Sequence, residues 1–249
     1  MATPKPDYMT QQAWDYLLQF TVAHEGMVLH MYNNRASEAA KQDVTCGIGI
    51  LLLNRDTATG ADYKSMFYDP ATRLQATDEQ LRADWDAASK LLRRYYPNAN
   101  LESTAAGDGY ADVCKMRMYP EPAIDKSAAV LKSKLKTELD GFLPLETFNS
   151  MPWQAQVACA SYFYGWSLAK APNLRQALLD LDFEKAAKAS NLVGAAPAKN
   201  KAHERLFLNA ASIKDAVAHG WERDLYQVLP QKVNPPEIMI YSAQTITKQ

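Results

Sequence analysis

Apolar residues recur every three or four positions in the segment QQAWDYLLQFTVAHE, which follows Thr10. This spacing predicts a helix with one buried face, with Thr10 as its N-cap and Gly26 as its stop. The predicted face carries Trp14, Leu17, Leu18, Thr21, Val22 and Glu25. From Trp14 to Glu25 the chain makes about three full turns, so the two residues lie nearly in line. The pattern therefore directs a carboxyl group toward the core at the end of the helix.

Two extended segments follow, MVLHMYN and DVTCGIGILLL, with a polar loop between them. They predict a β-hairpin with a long loop. Alternation along the second strand gives an apolar face and a polar face. The apolar face is Val44, Cys46, Ile48 and Ile50, and the other face is Asp43, Thr45, Gly47 and Gly49. Because glycine has no side chain, the second face predicts close approach of a ligand to the backbone.

The rest of the chain predicts mainly helices. The predicted helices are 77–96, about 124–138, about 151–164, 173–181, 183–191 and 200–218. Residues 54–76 and 97–122 predict irregular structure and loops. The segment TDEQ predicts a capping box at the start of the helix at 77, with Thr77 as the N-cap.

Composition and charge restrict the classes of function. The 249 residues carry a net charge of -1, which gives no global field toward nucleic acid or anionic membranes. No apolar stretch approaches about 20 residues, and the N-terminus lacks the apolar region of a signal peptide. We therefore expect no nucleic-acid partner, no membrane insertion and synthesis in the cytoplasm without a cleavable signal peptide. The three cysteines fit neither a zinc site nor a disulfide framework.

A helix-end acid close to an acid and a hydroxyl on a strand suits glycoside hydrolysis. That reaction needs one protonated carboxyl for the leaving oxygen and a second group that activates water or attacks the sugar. An apolar environment around Glu25 would raise its pKa and prepare it as the acid. A polar strand surface would keep Asp43 ionised, with Thr45 beside it.

This stretch resembles the bacteriophage-type lysozymes, the family of the T-even phage lysozyme and its relatives. In that family a helix ends in Glu-Gly, an Asp follows in the hairpin, and a Thr opens a T-x-G-x-G strand. Here Glu25-Gly26 matches the start of the pattern and TCGIG, from Thr45 to Gly49, matches its end. Downstream, MPWQAQVACASYFYGWS and NKAHERLFLNAA resemble the buried helix and the final helix of the family. The resemblance covers roughly residues 20–95 and 147–215.

The resemblance implies an α+β fold that is predominantly helical and lysozyme-like, with a small β-hairpin lobe and a larger helical lobe. We expect one domain over residues 1–249. The hairpin lobe and first helix would occupy about 9–80, and the helical lobe about 81–218. An insert at about 97–146 and a C-terminal extension at 219–249 have no counterpart in the family.

The resemblance also implies a muramidase that hydrolyses the β-1,4 bond between N-acetylmuramic acid and N-acetylglucosamine in peptidoglycan, with inversion and without a metal or cofactor. Glu25 would be the general acid, Asp43 the base and Thr45 the residue that positions water, with the carboxyls roughly 6.5–9.5 Å apart. The further substrate-binding candidates are Tyr32, Asn34, Gly47, Gly49 and Lys201. Tyr32 has core packing as its alternative, and Lys201 has an exposed surface position as its alternative.

One position departs from the family pattern. The Asp position falls on Asn34, whose amide does not titrate and cannot act as a base. Three hypotheses remain open: Asp43 acts from the neighbouring strand, or Asn34 and Thr45 hold the water without a strong base, or the cleft only binds glycan. Glu38 and Asp56 are further candidates for the second acid.

The biological setting has two interpretations. A phage endolysin would fit the missing signal peptide. A delivered antibacterial effector, which the insert and the extension favour, would need a secretion machine and a cognate immunity protein in its producer. In both cases the expected partner is peptidoglycan, and the expected place of action is the periplasm or cell wall of a target cell. The alternative class is a catalytically silent glycan-binding module.

Overall fold

The computed structural model describes residues 4–33, 43–91, 108–192, 195 and 197–218. Its helices are α1 Gln11–Glu25, α2 Arg55–Thr59, α3 Ala61–Lys64, α4 Asp78–Lys90, α5 Asp108–Val113, α6 Pro120–Gly141, α7 Leu145–Ser150, α8 Trp153–Gly165, α9 Pro172–Leu179, α10 Phe183–Ala189 and α11 Pro197–Ala218. Its strands are β1 Val28–Asn33, β2 Val44–Gly47, β3 Ile50–Leu51, β4 Phe67–Tyr68 and β5 Arg117–Met118. The predicted class, α+β and predominantly helical, is confirmed.

The first helix begins and ends where the sequence predicts. The Thr10 hydroxyl accepts a hydrogen bond from the Ala13 main-chain N–H at 3.2 Å, as an N-cap does. The helix ends at Glu25, and Gly26 follows with φ of +76°, a left-handed conformation that favours glycine at a helix C-terminus. The buried face holds Ala13, Trp14, Tyr16, Leu17, Phe20 and Thr21. The buried face therefore stops one turn before the end of the helix.

The predicted hairpin is confirmed, but its second strand is two strands. β1 pairs antiparallel with β2, and β2 pairs antiparallel with β3, which gives the order β1-β2-β3. The chain turns between Cys46 and Ile50, which pair with each other. Gly47 and Gly49 adopt φ of +59° and +70°, and this left-handed backbone allows the turn. The apolar alternation of the sequence continues through this turn without a break. It therefore did not predict the second hairpin, which β2 and β3 form.

Short elements occupy segments that were predicted to be irregular. β4 pairs antiparallel with β5, with Phe67 opposite Met118, and both residues are fully buried. The helices α2, α3 and α5 also lie in these segments. Such elements are too short to form in isolation and depend on tertiary packing, which local patterns do not reveal.

The longer helices follow their patterns closely. Thr77 and Gln80 form the reciprocal capping box at the start of α4. The helix α8 is buried on all sides except at Gly165, in agreement with the apolar segment from which it was predicted. The helix α6 is longer than predicted and extends from Pro120 to Gly141. Within the described part of the chain, no helix is long and apolar enough to cross a membrane.

The chain divides into two compact units, each with its own core. The first unit comprises residues 1–24 and 128–249, and the second comprises residues 25–127. The core of the first is centred on α1, α8 and α11, and the core of the second on β1, β2 and α4. The division lies within α1 and α6, whereas the sequence predicted lobes of about 9–80 and 81–218. The first helix packs with the helical unit because its apolar face contributes to that core.

Candidate active site

The centre of the predicted site is a pair of residues on adjacent strands. Thr45 of β2 lies opposite Tyr32 of β1, so both side chains project from the same face of the sheet. Thr45 is 4% exposed and Tyr32 is 8% exposed. Tyr32 packs edge-to-face against Tyr110, with ring centroids 6.4 Å apart. Tyr32 thus lies in the core of this unit, in agreement with its alternative interpretation as a packing residue.

Asp43 directly precedes β2 and is half-buried. Its main-chain oxygen accepts a hydrogen bond from the Thr45 hydroxyl at 3.0 Å. This contact fixes the orientation of the hydroxyl and leaves its oxygen able to accept another hydrogen bond. The strand pairing on which the Asp43 hypothesis depends is confirmed, and Asp43 and Thr45 belong to the same compact unit.

Glu25 is the last residue of α1 and is exposed. The prediction of a core-facing carboxyl is therefore wrong, because the packed face of the helix ends at Thr21. The spacing of the apolar face in the sequence extends to Glu25, but the core of the protein does not reach that residue. Glu25 nevertheless belongs to the unit that holds the hairpin, and only Gly26 and Met27 separate it from β1.

Of the two glycines, Gly47 does not offer a bare face to a ligand. Gly47 is buried, and a β-carbon there would lie 2.9 Å from Ile50 Cδ1, 3.1 Å from Met118 Sδ and 3.3 Å from Ala123 Cβ. The space above Gly47 is filled by the protein itself, so the substrate-binding prediction for Gly47 is wrong. Gly49 is exposed at the turn before β3, where it serves the backbone conformation.

The four remaining candidates have different outcomes. Asn34 and Glu38 lie outside the described residues, so the three hypotheses about the second acid remain predictions. Lys201 lies on α11 and is exposed, in agreement with its alternative interpretation as a surface residue. Asp56 is an exposed residue in the first turn of α2 and pairs with Arg82 at 2.9 Å.

No known protein family, curated protein or solved structure matches the chain. The resemblance to the phage-type lysozymes therefore stays a prediction that depends on the residues themselves. Among the described residues, no cluster of His, Cys, Asp and Glu could hold a metal ion.

A buried carboxylate that the sequence analysis overlooked lies on α4. Asp84 is 4% exposed and accepts hydrogen bonds from the main-chain N–H groups of Lys115 at 2.8 Å and Met116 at 2.7 Å. Burial raises the pKa of this carboxyl, and the two N–H donors oppose that effect. Because both oxygens are engaged, Asp84 anchors the chain before β5. Asp84 could have been found in the sequence because it shares a helical face with the apolar residues Leu81 and Trp85. The same kind of spacing made Glu25 a candidate.

A serine and a histidine meet in the other unit. His203 Nε2 lies 3.0 Å from Ser161 Oγ, and the side chains are 0% and 2% exposed. Burial, followed by the charge of Lys199 and then that of His24, holds the pKa of His203 well below its usual range. The neighbouring rings are those of Phe20 and Tyr162. The pair lies among these rings and has a packing role.

Proposed function

We propose that the protein is a peptidoglycan muramidase of the phage lysozyme type that acts on the cell wall of a target bacterium. The observation that carries the proposal is local. One compact unit contains a helix-end Glu25, the left-handed Gly26, and a strand pair on which Thr45 faces the first strand and Asp43 directly precedes the second. This is the order of acid, glycine, hairpin and threonine that the family uses.

In this proposal each residue has one task. Glu25 donates a proton to the glycosidic oxygen as the bond breaks. Asp43 accepts a proton from the water that attacks the anomeric carbon from the opposite side, which inverts the configuration. The Thr45 hydroxyl donates to the Asp43 main-chain oxygen, so its own oxygen receives a hydrogen from the attacking water. The water is then oriented with a lone pair directed at the sugar.

A second candidate function is a glycan-binding module without catalysis. The exposed position of Glu25 favours it, because a general acid usually depends on a dry environment to retain its proton. The Asn at position 34 also favours it, since the family places its acid there. The two functions differ in one measurable product, which is a soluble fragment with a new reducing end.

The test compares wild type with Glu25→Gln and Asp43→Asn on purified cell walls. Turbidity, release of reducing ends and wall binding by co-sedimentation are measured together. We expect both variants to lose at least a hundredfold in reducing-end release while they retain wall binding, because general acid–base groups contribute about 10²–10⁴-fold. Glu146→Gln, which changes an exposed acid in the first turn of α7, serves as the matched control and should clear walls at the wild-type rate.

The outcomes separate the two functions. Wall binding by the wild-type protein without any released fragment would support the silent module and exclude the muramidase. If Asp43→Asn releases reducing ends but Glu25→Gln does not, a group other than Asp43 acts as the base. Wild-type clearing by Glu25→Gln would remove the general acid from the mechanism altogether.

The proposal extends to biological partners. An effector that acts on the wall would endanger its producer, so we propose a cognate immunity protein and delivery by a secretion machine. A phage endolysin would need neither. Co-purification of the protein with the product of an adjacent gene, together with inhibition of wall clearing by that product, separates the two settings.

A further inference from the structure

A buried histidine joins helices of the unit formed by residues 1–24 and 128–249. His203 of α11 is 0% exposed, and its Nε2 lies 3.0 Å from the Ser161 hydroxyl of α8. Its ring is nearly parallel to that of Phe20 from α1, with the ring centroids 5.8 Å apart. The other ring nitrogen, Nδ1, has no hydrogen-bond partner among the described residues. These surroundings suit a neutral imidazole that forms a single hydrogen bond.

The same surroundings do not suit a protonated His203. An imidazolium carries an N–H on both ring nitrogens. The Ser161 oxygen can accept one of these hydrogen bonds, but the Nδ1–H has no acceptor in the described part of the chain. A buried charge with an unsatisfied donor is strongly unfavourable. Protonation of His203 therefore requires that water reaches the ring.

The ionisable groups around His203 also oppose its protonation. Lys199 lies one turn earlier on α11 and is 3% exposed, and His24 of α1 packs on Phe20 with ring centroids 4.3 Å apart. The helix α8 contains no acidic or basic residue, and burial raises the pKa of its Tyr162, so that ring stays uncharged. The charged residues of α10 and the remaining ones in the first half of α11 are exposed or half-buried: Glu184, Lys185, Lys188, Lys201, Glu204 and Arg205.

The helix α11 is better placed to move than α8. The helix α8 is buried on all sides except at Gly165, whereas α11 has an exposed face that includes Lys201 and Glu204. Proteins open locally in cooperative units, and an element with a solvated face opens more readily than one that is enclosed. The contact that admits water to His203 is therefore the one that α11 makes with α8.

We propose that His203 makes the contact between α8 and α11 an acid-sensitive switch. At neutral pH the uncharged ring holds α11 against α8 through Ser161. At mildly acidic pH the ring takes up a proton from water, and α11 separates from α8 while the 25–127 unit stays closed. The switch needs no ligand and does not depend on the proposed muramidase activity.

The proton balance gives the size of the effect. Burial, followed by the charges of Lys199 and His24, holds the pKa of His203 well below its usual range, so the closed contact binds no proton near neutral pH. In the open form the ring regains the ordinary histidine pKa of about 6.5. The open form then binds about 0.1 proton at pH 7.5 and about 0.9 at pH 5.5. The equilibrium constant for opening of α11 should therefore rise about tenfold as the pH falls across this range.

The test is amide hydrogen exchange of the full-length protein at pH 7.5 and pH 5.5, with each rate corrected for its intrinsic pH dependence. Peptides from α11 report on the switch, and peptides from β1 and α4 report on the other unit. We expect protection in α11 to fall about tenfold at pH 5.5, and protection in β1 and α4 to change by less than about twofold. Unchanged protection in α11, or an equal fall in both units, would overturn the proposal.

Two histidine variants assign the effect to a residue. His203→Gln keeps a polar group near Ser161 but cannot take up a proton, so protection of α11 should no longer fall with pH. His30→Gln is the matched control, because it removes a half-buried histidine from β1 in the other unit. It should retain the tenfold response of α11. A tenfold response in His203→Gln would overturn the proposal.

Ser161→Asp reverses the sign of the effect and does not depend on how well His203→Gln folds. A carboxylate at this position would face the Nε2 of His203, which lies 3.0 Å from the present hydroxyl. The opposite charge favours the protonated ring in the closed contact. Opening of α11 in this variant should therefore stay constant or decrease as the pH falls, whatever its overall stability. A rise in opening like that of wild type would show that the ring does not control α11 and would overturn the proposal.

Discussion

The packing around Gly47 makes a quantitative prediction about stability. Gly47→Ala adds one methyl group at a buried turn where φ is +59°. The nearest atoms are Ile50 Cδ1 at 2.9 Å, Met118 Sδ at 3.1 Å and Ala123 Cβ at 3.3 Å. The first two belong to side chains that can rotate, although both are buried in the core of the unit. The third has no rotatable bond, so α6 itself must shift.

The expected loss has two parts. A left-handed backbone costs an L-residue about 1–2 kcal/mol. Overpacking of a dense core costs about 1–3 kcal/mol more. Alanine has a smaller conformational entropy than glycine in the unfolded chain, which offsets about 0.4–1 kcal/mol of this loss in stability. We therefore expect Gly47→Ala to lower the free energy of unfolding of the 25–127 unit by about 2–4 kcal/mol, a large fraction of an ordinary domain stability of about 5–15 kcal/mol.

Gly26→Ala is the matched control. Gly26 also has a left-handed backbone, with φ of +76°, but a β-carbon there would meet nothing within 4 Å. It should therefore lose only the backbone part, about 1 kcal/mol. The measurement is urea unfolding followed by hydrogen exchange and mass spectrometry, with peptides from β1, β2 and β5. These peptides report on the unit that contains Gly47, independently of the other unit.

The difference between the two variants isolates the packing term. If Gly47→Ala and Gly26→Ala lose the same free energy, the contacts with Met118 and Ala123 carry no cost. Gly47 would then be required only for the turn, and the space above it would be available to a ligand after all. That result would restore the original prediction of a bare glycine face.

Two further predictions concern buried polar groups. Asp84→Ala should destabilise the 25–127 unit by about 2–4 kcal/mol, because two main-chain N–H groups lose their acceptor. The control Asp86→Ala should destabilise it by less than about 1 kcal/mol, because Asp86 forms only a partly exposed ion pair with Arg55. Hydrogen exchange at residues 114–118 measures both, and equal losses would contradict the anchoring role. His203 has a lowered pKa in the fold, so the unfolded chain binds more protons as the pH falls through about 6.5. The melting temperature should therefore decrease when the pH is lowered from 7.5 to 5.5. In His203→Gln this decrease should be smaller. If the pH dependence of the melting temperature is the same in that variant, another group is responsible for it.

Local signals predicted those elements whose stability is largely local. The cap at Thr10, the stop at Gly26 and the capping box at Thr77 each depend on residues within one helical turn, and each is confirmed. The β4-β5 pair was missed because Phe67 and Met118 are far apart in the sequence. Nothing in either segment alone indicates that the other exists.

The candidate site shows where helical periodicity stops being informative. Glu25 and Asp84 both follow the spacing of an apolar face, but only Asp84 is buried. The reason is tertiary, since other chain segments cover α4 at Asp84, whereas the buried residues of α1 end at Thr21. The pairing of Tyr32 with Thr45 depended on a strand register that the long loop left undetermined. The nature of the second acid depends on that same loop.

The cysteines of this protein allow the opening of each unit to be followed without an introduced label. Cys159 lies in the core of the helical unit, while Cys46 and Cys114 lie in the core of the 25–127 unit, and all three thiols are free and buried. An alkylating reagent can reach each sulfur only when its surroundings open, and burial raises the pKa of all three thiols, which suppresses the reactive thiolate further. The mass gained and the position modified over time would therefore reveal which unit opens first.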